Sequence, residues 1–458
     1  MSATTVPTLT PKAPTAPAGN VIARTNLKTS LPVSLASGGD LLASVASSLL
    51  IYRDLAIAFT THFIQTWSDR GMGQRMTCST WLPRPAADQA NYFAVGDLMI
   101  PDGAGSNPSG RLVGVLVADM PELRVPGKGP ALMAPLGFET VGGSQVCRMI
   151  APPGYVALGG IAQFHGEPNL NQYRCVRADL VLGAKPSEAE LYDNRGNGRQ
   201  DSLSVWTVST PAAPPGKVYL APQTFIPVGE DGRPAASHFF CLQFDLPDTL
   251  AAGQASAQAP TLTSIQAAAE TGRGTTFTTF LPWYAVRDAG LSDVQRMQST
   301  PVYSLCRTDI YTLALGQHNG TEAPQRVLFS LTDGIATEDV ASFAEAVGIS
   351  LGTASSFAVP GLAGSIQLKN DFSGVDGSGG LQKTTALQAT LTIPPGVNAA
   401  VYSLRSSFSL QRMDGTSVTT LQPEFGRPNS MYATQSPAPG SIADNGQKAG
   451  AVSIEPVH

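Results

Sequence analysis

Ile57, Phe59, Thr61, Phe63, Gln65 and Trp67 form an every-second-residue series that predicts a strand. Just before it, Leu41, Val45, Leu49 and Tyr52 recur at helical spacing behind Asp40, an N-cap residue type, and predict a short helix. From there to about residue 247, short apolar runs are cut by turn residues, predicting short strands only. In the second half, Val340, Phe343, Ala344 and Val347 give one more short helix over 336–348, with acids in its first turn and Gly348 at its end. Beyond it "SIQLKNDFSGVD", "ALQATLTIPPG" and "AAVYSLRSSFSLQRMDGTSV" alternate strand and turn, with Pro394-Pro395-Gly396 and Asp414-Gly415 at the turns.

The pattern repeats. "SDRGMGQRMTCSTW" (68–81) and "DNRGNGRQDSLSVW" (193–206) each follow an aromatic residue (Trp67, Tyr192), carry Arg-Gly-x-Gly, and end on Trp81 and Trp206. "PRPAADQANYFAVGDLMIP" (83–101) and "VSTPAAPPGKVYLAPQTFIP" (208–227) come next, and "RMIAPPGYVALGGIAQF" (148–164) is a shortened copy between them. Each copy leads to a strand ending in aspartate: "LVGVLVADM" (112–120), "YRCVRADL" (173–180) and "FFCLQFDL" (239–246). Three copies of one unit predict an all-β protein, with a pseudo-threefold, β-prism-like first module. A sandwich or small barrel is the alternative for that module. A β-sandwich or elongated β domain follows, with few short helices. The expected division is an extended arm over 1–30, the three-repeat module over 31–247, a linker or long loop over 248–275, a β domain over 276–425 and a second arm over 426–458.

Composition narrows the function. Charged residues are 14% of the chain, against roughly 25% in typical soluble domains. So thinly charged a surface favours burial in an assembly, and a homo-oligomer is expected. The 46 Gly and 36 Pro suit many turns. With net charge −5 and no basic cluster, nucleic acid is not an expected partner. None of the five cysteines forms a C-x-x-C pair, so no structural metal is expected. The N-terminal residues lack the apolar core of a secretory signal, and no apolar run reaches the roughly 18 residues of a membrane helix. The expectation is a protein made in soluble form, acting outside the cell or at a surface by another release route, or otherwise cytoplasmic.

The segments "WSDRGMGQRMTCSTWLPRP", "YFAVGDL", "APPGYVALGG", "YRCVRADLV" and "LYDNRGNGRQDSLSVW" resemble the vacuolar protein sorting-associated protein 62 family. That family repeats an aromatic-Asp-x-Gly-Ser-Gly turn, a Trp-x-Pro step, a Pro-x-Gly-Tyr-x-Ala-x-Gly strand and a Cys-Val-Arg-x-Asp strand. The resemblance spans about residues 60–247 and implies a β-rich architecture rather than an activity. The second half is similar to β domains of toxin-like bacterial proteins, and its Ser/Thr-rich hairpins to those of aerolysin-type pore-formers.

For chemistry, the repeated turn offers Asp69 and Arg70 in one copy and Asp193 and Asn194 in the other. They could hold a cation or a sugar hydroxyl, with Trp81 and Trp206 as stacking platforms. Alternatively the glycines supply positive φ, the carboxylates cap backbone N–H groups and the tryptophans pack in the core. The five histidines stand singly, and neither a nucleophile elbow nor a phosphate loop is present, so no catalytic residue, cofactor or metal is expected. Asn319-Gly320-Thr321 has the form of a glycosylation acceptor and reads as a turn. Residues 349–393 supply Phe357, Ile366, Leu368, Phe372 and Leu391 as candidates for membrane insertion. The expected function is a non-enzymatic, toxin-like, membrane-active protein. Its first module would dock on a cell-surface glycan or receptor and its second would oligomerise and insert. The alternative is a binding or structural protein that self-assembles into a particle, tube or layer.

Overall fold

The structure is a computed structural model. It describes residues 50–69, 77–101, 107–163, 166–195, 202–230, 232–252, 257–263, 271–333, 355–359, 362–369, 372, 385–420, 424–443 and 446–457. The chain divides into Met1–Leu41 and Leu42–His458, and all described residues belong to the second. That body is almost entirely β.

The chain enters through a two-residue hairpin, β1 (Ile51–Tyr52) to β2 (Leu55–Thr60), with Arg53 at φ 56 in its turn. Positions 51 and 52 are therefore strand where the spacing predicted helix. A helix would forgo the pairing of Tyr52 with Leu55, which extends the sheet of β2. The rest of that expected helix, and the whole of the one at 336–348, lie outside the described residues.

The first repeat continues with β3 (His62–Ser68), β4 (Cys78–Arg84), β5 (Phe93–Ala94), β6 (Leu98–Pro101) and β7 (Gly114–Asp119). The second holds β8 (Leu132–Met133), β9 (Gly137–Thr140), β10 (Val146–Ile150), β11 (Tyr155–Val156), β12 (Gly160–Ala162) and β13 (Cys175–Arg177). The third holds β14 (Val181–Gly183), β15 (Lys185–Pro186), β16 (Tyr192–Asp193), β17 (Ser204–Trp206), β18 (Val208–Ser209), β19 (Lys217–Leu220), β20 (Ile226–Val228) and β21 (Phe240–Asp245). Setting aside the extra pair β15–β18, each repeat builds the same two antiparallel sheets. The second, third and fifth strands join as β3-β4-β6, β9-β10-β12 and β16-β17-β20. The first, sixth and fourth join as β2-β7-β5, β8-β13-β11 and β14-β21-β19. The three strands expected to end in Asp119, Asp179 and Asp245 are the sixth strands, though a 3-10 turn over Ala178–Leu180 carries Asp179.

The second half contributes β22 (Leu250–Ala252), β23 (Thr275–Pro282), β24 (Val302–His318), β25 (Gln325–Asp333), β26 (Ser355–Val359), β27 (Leu362–Gln367), β28 (Thr385–Ile393), β29 (Asn398–Gln411), β30 (Glu424–Ser436) and β31 (Ser453–Pro456). β22-β23-β24-β29-β30 make one long-stranded sheet and β25-β28-β31 a shorter one. They sandwich a core that includes Phe329, Leu391, Ile393, Val397 and Val401. The segment expected as a terminal arm thus supplies β30 and β31. Pro428 is accommodated because the β29–β30 register jumps there, Ser403 facing Met431 and Leu404 facing Arg427. Within 248–275, β22 pairs with β23 and Leu262 is buried against Tyr402. The single α-helix among the described residues, α1 (Asp293–Ser299), opens on a Ser292/Gln295 capping box.

Both halves share one core. Phe59 packs edge-on against Trp283 at 5.3 Å and against Tyr284 at 5.2 Å, while Phe244 reaches Tyr284 at 6.3 Å.

Candidate functional site

The duplicated turn proves to be a hairpin clasp. In the first repeat Asp69 Oδ1 accepts from the Cys78 amide at 2.7 Å, and in the third Asn194 Oδ1 accepts from the Leu203 amide at 2.9 Å. In the second, Ser144 Oγ takes the same part, accepting from the Val146 amide at 3.1 Å. Matching backbone bonds run from Asp69, Val141 and Asn194 to the carbonyls of Cys78, Val146 and Leu203. Trp81 Nε1 donates to Ser79 Oγ at 2.9 Å and Trp206 Nε1 to Ser204 Oγ at 3.0 Å, and both indoles are buried. As folded, neither ring offers a face for stacking. Asp193 accepts from the Arg195 amide and guanidinium. Arg70 lies outside the described residues. Burial raises the Asp69 carboxyl above its ordinary range despite its bonds to Cys78 and Tyr192.

Backbone bonds link the three units in series. The Asp97 amide donates to the Gly160 carbonyl at 2.9 Å, and the Gly160 amide to the Phe225 carbonyl at 2.6 Å. A Cβ on Gly160 would lie 2.5 Å from Phe225 Cε2 and 2.7 Å from Pro227 Cδ. Phe225 is fully buried and cannot retreat. Gly160→Val is expected to lower stability by about 3 kcal/mol. Urea unfolding would read this, and an unchanged midpoint would mean the contact at Gly160 is looser than these distances imply.

Asp97 was visible in the sequence only as part of a Gly-Asp pair, yet it is the most distinctive carboxylate here. Fully buried, it accepts from Thr66 Oγ1 at 2.9 Å, the Ala162 amide at 3.0 Å and Tyr173 Oη at 2.8 Å, joining two repeats. Burial outweighs these bonds and pushes its pKa up to about 6. Between about pH 4 and 6 the folded chain keeps a proton that the unfolded chain releases, so stability falls as pH rises through that window. The difference amounts to about 3 kcal/mol. Asp97→Asn should flatten the dependence of the urea unfolding free energy on pH from 4 to 7 by that amount relative to the parent. Parallel profiles would contradict this assignment.

The other candidates gather at a seam. β27 pairs with β19, giving Lys217↔Gln367, Val218↔Ile366, Tyr219↔Ser365 and Leu220↔Gly364, so a hairpin of the second half completes a sheet of the first. Ile366, Leu368 and Phe372 are buried in the shared core, with the Phe372 ring tilted against that of Phe408 at 6.5 Å. Ser365 Oγ donates to the Pro211 carbonyl at 2.6 Å, and Lys369 pairs with Asp248. Phe357 is on β26, whose register sets it opposite Gly364. Leu391 is elsewhere, in β28, buried inside the sandwich. Sequence reasoning marked the region 349–393 without resolving this hairpin, and it missed the partner β19, which no local signal marks.

Asn319 is buried, its Nδ2 donating to the carbonyls of Ala323 at 2.9 Å and Ile393 at 2.8 Å, so this Asn-Gly-Thr is a turn. Among the described residues no cluster of three or more His, Cys, Asp or Glu could hold a metal ion, and no helix is long and apolar enough to cross a membrane.

No family model matches the chain, that of the vacuolar protein sorting-associated protein 62 family included, and no curated protein matches it. Among solved structures it is similar to GNIP1Aa from Chromobacterium piscinae, at 20% identity and a TM-score of 0.32 over 42% of this chain. The chain spans 37% of that protein's length. It is also similar to Cry35Ab1, at 9% identity and a TM-score of 0.35, covering 84% of this chain and 90% of that one.

Proposed function

We propose that this is a toxin-like, membrane-active protein in which the β26–β27 hairpin leaves β19 and enters a bilayer. The carrying observation is topological. β25 and β28 pair directly from Gln325↔Ile393 to Asp333↔Thr385, yet the chain between them crosses to a sheet of the other half. Released from β19, that chain can continue the β25–β28 ladder as one extended hairpin. Its length exceeds the two spans of about 9–11 residues that a membrane hairpin needs. Residues 346–368 carry no charge, which removes the largest penalty for insertion. Positions 357, 359, 362, 366 and 368 are apolar and the alternate positions 356, 358, 363, 365 and 367 small or polar, the dyad of a lipid-facing strand pair.

One hairpin has two open edges, and in hydrocarbon those edges must be closed by other strands. Insertion therefore requires several copies of the chain, and the oligomer is part of the proposal. The repeat module docks the protein on its target surface.

Release of a trapped dye from liposomes by the full-length protein tests this reading. Concentration-dependent release, with rings in negative-stain images only when lipid is present, is the expected result. Ordered particles or tubes in buffer with no release from any liposome would favour passive self-assembly instead.

A further inference from the structure

We propose that the cleft between the first and second repeats binds a pyranose carrying a carboxylate. The inference rests on the docking role assigned above to the repeat module. The cleft has a volume of about 470 Å³, within the usual range for small-ligand sites. Gln65, Thr66 and Arg84 from one repeat face Gln163, Gln172 and Tyr173 from the next. Among the described residues, no acidic side chain lines it.

Its polar groups fall into two sets. Thr66 and Tyr173 are fixed, because both hydroxyls donate to the buried Asp97 behind them, at 2.9 and 2.8 Å. The Tyr173 backbone is held as well: it bridges Ala94 in parallel, and the next amide, Arg174, donates to the Ala94 carbonyl at 2.9 Å. By contrast, the carboxamides of Gln65, Gln163 and Gln172 and the guanidinium of Arg84 make no side-chain hydrogen bond or ion pair among the described residues. The site is thus a rigid wall carrying uncommitted donors and acceptors.

Carboxamides donate and accept at once, which matches vicinal hydroxyls. An unpaired guanidinium matches a planar carboxylate through two parallel bonds. Ile64, 53% exposed at the rim, can cover an apolar ring face. The corresponding cleft between the second and third repeats shows why Arg84 decides the matter. There the Arg148 guanidinium is already engaged, with Glu139 at 3.0 Å and the Pro227 carbonyl at 3.1 Å.

Isothermal titration of the full-length protein with glucuronate and with glucose tests the proposal. Glucuronate should bind at least about tenfold more tightly, the gain of a charge-assisted pair. Arg84→Gln should reduce glucuronate to the level of glucose, while Arg148→Gln changes neither. Equal binding of the two sugars, no binding of either, or an unaffected Arg84→Gln variant would overturn it. Dye release from glycan-free liposomes reads the hairpin alone. Release without sugar binding therefore removes only this site, and sugar binding without release removes only the membrane reading.

Discussion

Oxidised Lys217→Cys/Gln367→Cys protein is expected to release no dye from liposomes, and a reductant is expected to restore release to the parental level. The two positions face each other across β19 and β27. Directly opposed strand residues lie about 5.5 Å apart at Cα, within reach of an unstrained disulfide. Both are partly exposed, and the main interaction sacrificed is the ion pair of Lys217 with Asp245, 64% exposed, so the cost to folding is small. Four natural cysteines are buried and Cys306 is half-buried, which limits mispairing. The tether leaves the fold and its core packing in place and forbids one motion only. Full release from the oxidised protein would show that membrane activity does not pass through this seam.

The largest loss of stability is expected at Arg177. Its guanidinium bonds both oxygens of Asp54, at 2.8 and 2.7 Å, and Asp179 at 2.6 Å, and donates to the Gly129 carbonyl. Side-chain exposure is 10% for Arg177 and 2% for Asp54. Without Arg177, Asp54, in the first hairpin turn, keeps among the described residues only Arg124, whose Nε is 3.7 Å away. Removing one partner of a buried pair leaves the other charge desolvated, so Arg177→Met should cost about 3–5 kcal/mol. Arg177→Met/Asp54→Leu should recover most of that, because no charge remains stranded. Urea unfolding of the two variants decides the point, and a double variant no more stable than the single one would mean that packing, not charge, dominates.

These two cases mark what the sequence could and could not reveal. The clasp was readable because its parts are local: Asp69 and Cys78, like Asn194 and Leu203, are nine residues apart. The repeats themselves announced a three-unit module, and the strands expected to end in Asp119 and Asp245 do so, whereas the one between them stops at Arg177 and leaves Asp179 in a 3-10 turn. Arg177 sits in a recognisable motif, but its partner Asp54 stands 123 residues upstream, and no periodicity links them. Asp97 likewise needs Tyr173, 76 residues on, before it becomes a buried carboxylate rather than a turn residue. The helix α1 was missed although Ser292 and Gln295 spell its capping box, because its apolar positions are too few to show a period. The hairpin of β26 and β27 alternates equally well whether it docks on β19, extends β25 and β28 or faces lipid. Only the pairing shows which of these the folded chain adopts.

The central claim is that β27 separates from β19 on a membrane. Nitroxide labels at Lys217→Cys and Gln367→Cys, measured by double electron–electron resonance in buffer and on liposomes, test it most directly. Buffer should give the short distance of adjacent strands, and liposomes that release dye should shift the population to separations of tens of ångströms, roughly the thickness of the hydrocarbon core. An unchanged short distance in liposomes that are losing their dye would contradict the account.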